Sequence, residues 1–386
     1  MIFNKKILAT LFSIVLFGNL HAAEVPPPVT ERPVPVIHIT DLFRPHNDPD
    51  DHWDLACQYA LAARGDIELV AVVIDDPKNE WGKDPDISAI AQLNYITGLA
   101  VPVVTGVPES LPLDADLKDP SVRNSLALSG IRAVHRILAA SPRPVVITVT
   151  GWCRDLVFIE KYDPQLFAKK CAGIYLNAGL GVPDASKQNR LEWNTAIDKD
   201  AYRESLAAGA PIYWLPCFYT LEKRGQGEDS RWGSFYRFSQ GDILPRLSDP
   251  MQNFFLSMFR DGGKKPGKSD WLAILKRKPD PELLQKQSAR MRNMWCTGGM
   301  FHMTGKTVLA DGSIVAIDRA NDKSVYTFRP IRLNCDEQGR TSWKFDKTQP
   351  PNRARYIFEV RDTKNYNTAM SKALKSLILE LGTRKQ

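Results

Sequence analysis

The sequence has no closely spaced pair of cysteines. Its 386 residues contain six cysteines, and none of them forms a CxxC pair; they stand at positions 57, 153, 171, 217, 296 and 335. This spacing excludes the usual zinc signatures and thioredoxin-type chemistry. Cys57 and Cys171 lie in apolar runs, where a buried free thiol is as compatible with the sequence as a disulfide. The pairing of the cysteines is therefore left open.

Long apolar segments are missing from most of the chain. Residues 1–23 contain the exception: two lysines precede a run rich in Leu, Ile, Val and Phe, and small residues follow it. This order is typical of a secretory signal peptide, and the run is too short for a stable membrane helix. No cysteine follows the run, so a lipid anchor is not indicated. We expect a periplasmic or secreted protein without a membrane anchor.

A concentrated basic surface is also lacking. The formal net charge is +7, and the basic residues are scattered except for a run at 260–278. Basic and aromatic residues do not alternate in this run as they do in grooves that bind single-stranded nucleic acids. The pattern favours a solvated loop, and we expect no nucleic-acid partner.

Alternating strand and helix patterns occupy residues 66–220 and predict an α/β fold with a mostly parallel central sheet flanked by helices. Antiparallel C-terminal additions follow, with a hairpin at 307–317, strands at 326–333 and 355–360, and a final helix at 362–381. No break in composition divides the chain. We therefore predict a proline-rich tail at 24–35 and one domain at 36–386.

An acidic turn joins the first strand to the first helix. Residues 34–40 form an apolar run suited to a buried strand, and helical spacing of apolar residues begins at Trp53. Asp48 is suited to the N-cap and Pro49 to the first helical position. The turn and the start of the helix contain five acidic residues, namely Asp41, Asp48, Asp50, Asp51 and Asp54.

Two interpretations of this turn differ in how many carboxylates they explain. Complementing the helix dipole is worth about 0.3–1 kcal/mol per charge and accounts for one or two of the acids. Clustering the others at the carboxyl end of a strand costs repulsion, and α/β sheets bind their ligands at that edge. The pattern favours a binding site, and a hard cation such as Ca²⁺ would relieve the repulsion.

The acidic turn resembles the N-terminal signature of the nucleoside hydrolases of the inosine-uridine preferring type, DxDPGxDDxxA. Here Asp41 ends the strand, Asp50 and Asp51 open the helix, and Ala56 follows downstream. This sequence departs from the signature in the longer loop, LeuPheArgProHisAsn, between Asp41 and the segment that begins with Asp48 and Pro49.

Two later segments resemble the same family. Residues 148–156 occupy the place of the family's GPLTNLA segment. Residues 173–179 and 190–202 are similar to the family's GN followed by AEFNxxxDPxAA. If the middle residue of Glu-Trp-Asn alternates as in a strand, Trp193 points away from the site and is predicted to be a core residue.

The resemblance implies a nucleoside hydrolase-like, Rossmann-like fold and hydrolysis of the N-glycosidic bond of ribonucleosides or related ribosides. It implies that Ca²⁺ is held by Asp41, Asp51 and the backbone carbonyl of Arg154, and that Asp41 takes the proton of the attacking water. The ribose hydroxyls would be bound by Asp50, Asn177, Glu192 and Asn194. Glutamate and asparagine supply the paired acceptors and donors that vicinal hydroxyls need.

The segment 295–306 departs from the family, which places a His-Asp pair there. His302 takes the place of the histidine near the leaving base, but Met303 follows it. The other interpretation of His302 is a hydrogen-bonded core residue. Trp232, Phe235 and Tyr236 either cover the base or fill the core, and the core is favoured.

The missing acid supports a second function class, a secreted ribose- or nucleoside-binding protein or catalytically inactive relative. Both classes have a small-molecule nucleoside or riboside as the partner. Release of free ribose distinguishes them. The sequence leaves the formation of a homo-oligomer open.

Overall fold

The computed structural model describes residues 25–42, 49–75, 85–222, 228–259, 271–320 and 322–383. The strands in these ranges are β1 (Val34–Thr40), β2 (Ile67–Ile74), β3 (Val103–Thr105), β4 (Val145–Val149), β5 (Cys171–Asn177), β6 (Ile212–Leu215), β7 (Tyr236–Ser239), β8 (Met291–Met294), β9 (Lys306–Val308), β10 (Ile314–Ala316), β11 (Tyr326–Cys335), β12 (Thr341–Phe345) and β13 (Arg355–Val360). The helices are α1 (Asp50–Arg64), α2 (Pro85–Thr97), α3 (Pro120–Arg123), α4 (Ser129–Ala140), α5 (Arg154–Tyr162), α6 (Pro164–Lys170), α7 (Trp193–Ile197), α8 (Lys199–Leu206), α9 (Asp249–Ser257), α10 (Trp271–Leu275), α11 (Pro281–Ser288), α12 (Thr297–Met303) and α13 (Tyr366–Thr383).

A nine-stranded sheet with the order β12-β11-β13-β6-β5-β4-β1-β2-β3 forms the centre of the molecule. The strands from β3 to β13 in this order pair in parallel, whereas β11 pairs antiparallel with both β13 and β12. The pairs β7-β8 and β9-β10 form separate antiparallel ribbons. The predicted α/β class, with a mostly parallel sheet and antiparallel additions near its C-terminal end, is confirmed.

The central strands are apolar because helices cover both faces of the sheet. Every residue of β1 and β4 is buried, as expected for inner parallel strands. Alternate side chains enter different cores: Val36 packs with residues of α1 and α13, whereas Ile37 packs with residues of α4 and α5. The sheet is thereby fixed in register between two apolar layers.

The strand order reverses between β1 and β4. From β1 the chain moves outward through β2 to β3, and it then returns to β4 and moves the other way through β5 to β6. The residues that end or follow the inner strands are Asp41, Thr150 and Asn177. Open α/β sheets bind their ligands outside the carboxyl ends of the strands at such a reversal. The fold therefore brings these three polar side chains to a ligand-binding position.

The sequence pattern predicts helices from Ser121 to Ala140 and from Pro281 to Met294, and both are interrupted in the structure. The pattern from Ser121 to Ala140 gives α3 and α4 with a short 3-10 turn between them, and Arg132 donates to the released carbonyls of Arg123 and Ser125 at 2.9 and 2.8 Å. A helix predicted over 281–294 ends at Ser288, because the residues that follow pair with β7 as β8. Tertiary pairing here overrides the local helical pattern.

The proline-rich segment packs onto the domain from residue 25 onward. The Tyr213 hydroxyl donates to the carbonyl of Pro26 at 2.9 Å, and Val25 is buried. Residues 1–24, which carry the predicted signal peptide, lie outside the described ranges, as does most of the basic run. None of the helices in the described part of the chain has both the length and the hydrophobicity to cross a membrane. All six cysteines are free thiols.

Candidate functional site

A cavity of about 350 Å³ lies outside the carboxyl ends of β1, β4 and β5. The acids that line it are Asp41, Asp50, Asp51 and Glu192. The other lining residues used below are Thr150, Asn177, Arg190, Trp193, Asn194, Cys217, Phe218, Asn293 and Trp295. Six residues predicted from the sequence thus meet in one cavity, whereas Arg154 and His302 are not among the residues that line it.

The start of α1 supplies two of the acids. Asp50 and Asp51 lie in its first turn, where the helix dipole favours negative charge. The helix begins one residue later than predicted, because Pro49 takes the N-cap position and no side chain caps it. The predicted N-cap, Asp48, lies outside the described residues.

Two hydroxyl groups hold the Asp51 carboxylate between the sheet and the helix. Thr40 at the end of β1 donates to Oδ1 of Asp51 at 3.1 Å, and Thr150 after β4 donates to the same oxygen. Both threonines and the aspartate are buried. The orientation of Asp51 is therefore fixed by neighbouring strands rather than by a loop.

Asp41 is 5% exposed and faces other carboxylates. Burial raises its pKa well above the usual value, and the charge of Asp51, a hydrogen bond with Asp51 and the charges of Asp75 and Asp50 raise it further. Two carboxyl groups in contact can share a proton or a cation. An oxygen-binding cation fits this pair, and the rest of its coordination has to come from carbonyls, waters or a ligand. Within the described residues, no three His, Cys, Asp or Glu side chains form a metal-binding group.

Asp75 supports the site from behind. It follows β2, is fully buried and accepts the backbone N–H of Trp152. A Cβ atom on Gly151 would lie 2.2 Å from Oδ2 of Asp75 and 2.9 Å from the backbone nitrogen of Asp41. A glycine is therefore needed for the loop after β4 to approach the end of β1 this closely.

Glu192 and Asn194 bring the start of α7 to the same cavity. Glu192 caps α7, where its Oε1 accepts from the Asn194 N–H at 3.0 Å and its Oε2 from the Gly179 N–H at 2.8 Å. Burial raises the pKa of Glu192, and these backbone N–H groups oppose the rise. The side-chain amide of Asn194 donates to the carbonyls of Thr150 and Asn177 at 2.9 and 3.3 Å. Oε2 of Glu192 also accepts from the Thr195 N–H at 3.4 Å, so three backbone N–H groups hold this carboxylate in place.

Asn177 ends β5 and links it to β6. Its amide nitrogen donates to the carbonyl of Leu215 at 2.8 Å. Its amide oxygen accepts from the thiols of Cys217 and Cys296, with sulfur–oxygen distances of 3.8 and 3.4 Å. Much of the hydrogen-bonding capacity of Asn177 is therefore used within the protein, although its side chain lines the cavity.

The rim of the cavity is partly aromatic. Trp193 is 57% exposed and lines the cavity, so the prediction that it is a core residue is wrong. The reason is that Trp193 begins α7, where the alternation of a strand does not apply. Trp295 and Phe218 meet edge to face, with ring centroids 5.7 Å apart, and line the cavity together with Trp193.

Arg154 and its neighbour are engaged elsewhere. Arg154 begins α5, and its guanidinium pairs with Asp198 at 2.6 Å and donates to the carbonyl of Leu111. Asp155 is buried and accepts from the N–H of Val107 at 2.7 Å. Its carboxylate thus anchors the segment after β3.

His302 lies in the core, which is the position that the sequence offers as the alternative to a leaving-group acid. Its Nδ1 is 2.7 Å from the hydroxyl of Tyr175 and its Nε2 is 2.9 Å from the carbonyl of Val25. Burial lowers the pKa of His302 to about 4, against a smaller opposite effect of the Val25 carbonyl. Among the three aromatic residues for which two roles were open, Tyr236 is fully buried, and none of the three lines the cavity.

Sequence reasoning missed several residues of the cavity. Thr150 and Cys217 come shortly after β4 and β6, so their position at strand ends was a usable signal. Arg190, Asn293 and Trp295 had no such signal, because their place depends on how a loop and the β7-β8 ribbon pack against the sheet.

The fold is similar to that of known nucleoside hydrolases. A plant nucleoside hydrolase aligns over 91% of this chain and 100% of its own, with 14% identity and a TM-score of 0.50. An inosine-uridine preferring nucleoside hydrolase from Bacillus anthracis aligns over 90% of this chain and 99% of its own, with 14% identity and a TM-score of 0.44. The type III effector protein XopQ, complexed with adenosine diphosphate ribose, aligns over 91% and 96%, with 14% identity and a TM-score of 0.45. No model of a protein family matches the sequence, and no curated protein is similar to it in sequence.

The substitution Gly151→Ala should lower the free energy of unfolding by about 1–3 kcal/mol, because the new methyl group overlaps Asp75 and the backbone of Asp41. Gly209→Ala is the control, since its nearest contact is a flexible Glu160 side chain at 3.1 Å. Denaturant unfolding of the two variants measures the difference. Equal losses would contradict the close approach at Gly151.

The pH dependence of stability should report the buried His302. Its folded pKa of about 4 lies below the value near 6.5 of an unfolded histidine, so the unfolded state binds the proton first. The stability that the neutral, buried imidazole contributes is complete above about pH 6.5. It is lost as the pH falls toward about 4, by on the order of 3 kcal/mol. His302→Gln should show a correspondingly smaller loss, measured by denaturant unfolding from pH 4 to 7. A His302 resonance that titrates near pH 6.5 would contradict the core position.

Proposed function

We propose that this protein hydrolyses the N-glycosidic bond of ribonucleosides or related ribosides. The observation that carries the proposal is one cavity at the strand reversal that is lined by the Asp41–Asp51 pair together with Glu192 and Asn194. The similarity of the fold to a plant nucleoside hydrolase supports it. The bond would break with positive charge on the ribose, which nearby carboxylates stabilise.

Asp41 would act as the general base. It is held at the end of a rigid strand, and its carboxyl group lies against Asp51 and faces the cavity. A base at this position would take a proton from a water that attacks the anomeric carbon. The oxygen of this water would bond to the anomeric carbon while its proton passes to Asp41. The leaving base would keep the electron pair of the broken bond.

The hydroxyl groups of the sugar would be bound by Asp50, Asn177, Glu192 and Asn194. Glu192 is fixed by three backbone N–H groups, and Asn194 by two carbonyls, so both keep their orientation without a ligand. Such pre-organised groups bind without the entropy cost of ordering side chains. Binding energy from hydroxyls remote from the broken bond would hold the anomeric carbon next to Asp41.

We also propose a Ca²⁺ site at Asp41 and Asp51. Two buried carboxyl groups in contact fit a hard cation. The third ligand predicted from the sequence is the backbone carbonyl of Arg154, the first residue of α5, which is not among the residues that line the cavity. A bound Ca²⁺ would lower the pKa of a coordinated water. Thr40 and Thr150 would keep Oδ1 of Asp51 oriented whether the ion is present or not.

The leaving group would depart toward the aromatic rim. Trp193, Phe218 and Trp295 offer apolar surface there. To protonate the leaving base, His302 would have to break its hydrogen bond with either Tyr175 or the carbonyl of Val25. The competing function is a ribose- or nucleoside-binding protein that does not cleave. It is supported by Met303, which follows His302 where the family has an aspartate.

The substitution Asp41→Asn should abolish most turnover, because it removes the base while preserving its shape. We expect a loss of about 10²–10⁴-fold in the release of free ribose over a panel of ribonucleosides. Glu192→Gln should instead weaken sugar binding by about 10- to 100-fold, since it removes a charged hydrogen-bond acceptor.

A binding protein would lose sugar affinity in Glu192→Gln but would have no turnover for Asp41→Asn to abolish. Ribose affinity of both variants is measured by calorimetry, and release by a reducing-sugar assay. If the wild-type protein releases no ribose from any nucleoside of the panel yet binds them, the binding function is correct and the hydrolase function is wrong. Near-normal turnover of Asp41→Asn would remove Asp41 from the mechanism.

Calcium should raise the melting temperature by a few degrees, and chelation should reverse this. A ligand that is bound only by the native state at about 100 times its Kd contributes about 2.7 kcal/mol. Asp51→Asn should lose the shift, whereas Asn293→Ala, which alters the same cavity away from the acids, should keep it. Calorimetry that detects no binding at millimolar calcium would contradict the site.

A further inference from the structure

One part of the cavity presents a cation that none of the described residues neutralises. Arg190 lies in the loop before α7 and is the one cationic side chain among the described residues that line the cavity. Within the described ranges its guanidinium has no hydrogen-bond or ion-pair partner, although four carboxylates line the same cavity. The loop holds the guanidinium apart from these acids, which leaves it available to an anion on a ligand.

Two more donors, from β8 and the residue after it, have no acceptor among the residues that the structure describes. Trp295 is 8% exposed, and its indole N–H is buried without a hydrogen-bond partner in the described ranges. A buried indole N–H normally has an acceptor, so its absence calls for a ligand that supplies one. The side-chain amide of Asn293 also lines the cavity and has no hydrogen-bond partner in the described part of the chain. The cavity therefore combines an acceptor-rich floor with donors that await acceptors.

We propose that the riboside bound in this cavity carries a phosphate on its sugar, and that Arg190 binds this phosphate. The inference rests on the proposed riboside hydrolase function and specifies its substrate class. A phosphate monoester presents acceptor oxygens in an arrangement that matches the planar fork of a guanidinium. A neutral riboside, by contrast, leaves Arg190 without a counter-charge.

The chemistry of the sugar indicates which carbon carries the phosphate. The 2′ and 3′ hydroxyls form the vicinal pair that the carboxylates and amides of the floor can bind, and a phosphate there would meet the acids directly. The 5′ oxygen is the sugar oxygen that can be esterified without losing this pair. Arg190 precedes Glu192 by two residues, so it belongs to the same loop that supplies a hydroxyl ligand. A ribonucleoside 5′-monophosphate fits these requirements.

Electrostatics explain why a cation is needed at this place. The floor of the cavity has four acidic side chains, and a phosphate within about 10 Å of them is repelled at ordinary ionic strength. One arginine at the rim offsets part of this repulsion and contributes a charged hydrogen bond. Because Arg190 is exposed to solvent, its contribution should decrease as salt is added.

The test compares a nucleoside with its 5′-monophosphate as substrates of the full-length protein. The wild-type kcat/KM should be higher for the monophosphate, and Arg190→Gln should lower the ratio of monophosphate to nucleoside by about 10- to 100-fold. Arg190→Lys, which keeps the charge and loses the fork, should fall between the two. Lys187→Gln is the matched control: it removes one exposed positive charge three residues away and outside the cavity, and should not change the ratio.

Binding separates this inference from the hydrolase function. Calorimetry with ribose 5-phosphate and with ribose should show tighter binding of the phosphate, lost in Arg190→Gln and weakened by salt. This result without any hydrolysis would support the anion site and overturn the hydrolase function. Hydrolysis of nucleosides with no preference for the monophosphate, in the wild type or either arginine variant, would overturn the inference and leave the hydrolase function standing.

A further comparison of substrates tests whether the anion that Arg190 binds lies on the sugar or on the leaving group. Nicotinic acid riboside and nicotinamide riboside differ by a carboxylate on the leaving group. A preference for the acid that is lost in Arg190→Gln, with no effect of the 5′-phosphate, would place the anion on the leaving group and overturn the phosphate assignment. Absence of binding of both ribose and ribose 5-phosphate would also overturn it.

Discussion

The contact between the carboxyl groups of Asp41 and Asp51 is the interaction on which the cavity depends. It forms because α1 begins immediately beside the end of β1, and because Thr40 and Thr150 hold Asp51 in place. Burial makes this contact costly, since two like charges in a low dielectric repel each other strongly. Packing of the sheet and the helix fixes it nonetheless, so the protein must offset the repulsion with a proton or a cation.

The floor and the rim of the cavity come from different kinds of structural element. The floor is built from the ends of β1, β4 and β5 and from the starts of α1 and α7, and every residue of β1 and β4 is buried. The rim comes from the loop before α7 and from the β7-β8 ribbon, which pack on the sheet without belonging to it. In the proposed function, the strand ends and helix starts of the floor would bind the common part of a substrate, the sugar, and the rim would bind the groups by which substrates differ.

Sequence reasoning succeeded where local pattern and position along a strand determine the structure. Apolar runs gave the inner strands, and polar residues at their ends gave Asp41 and Asn177. It failed where distant packing decides. Strand alternation predicts a core position for Trp193, but a helix begins there. No local rule places the loop that carries Arg190 over the edge of the sheet. His302 has a family-like position in the sequence, but its contacts come from β5 and the N-terminal segment, which are remote along the chain.

The distinction between a hydrolase and a binding protein reduces to the proton on Asp41. Sugar binding needs only oriented acceptors and donors, and Glu192 and Asn194 are held ready by the backbone whatever the state of Asp41. A base must be ionised, yet burial and the neighbouring acids favour the protonated form of Asp41. Positive charge at the Asp41–Asp51 pair would reverse this preference. In the proposed mechanism, therefore, turnover depends on a cation much more strongly than sugar binding does, even though both take place in the same cavity.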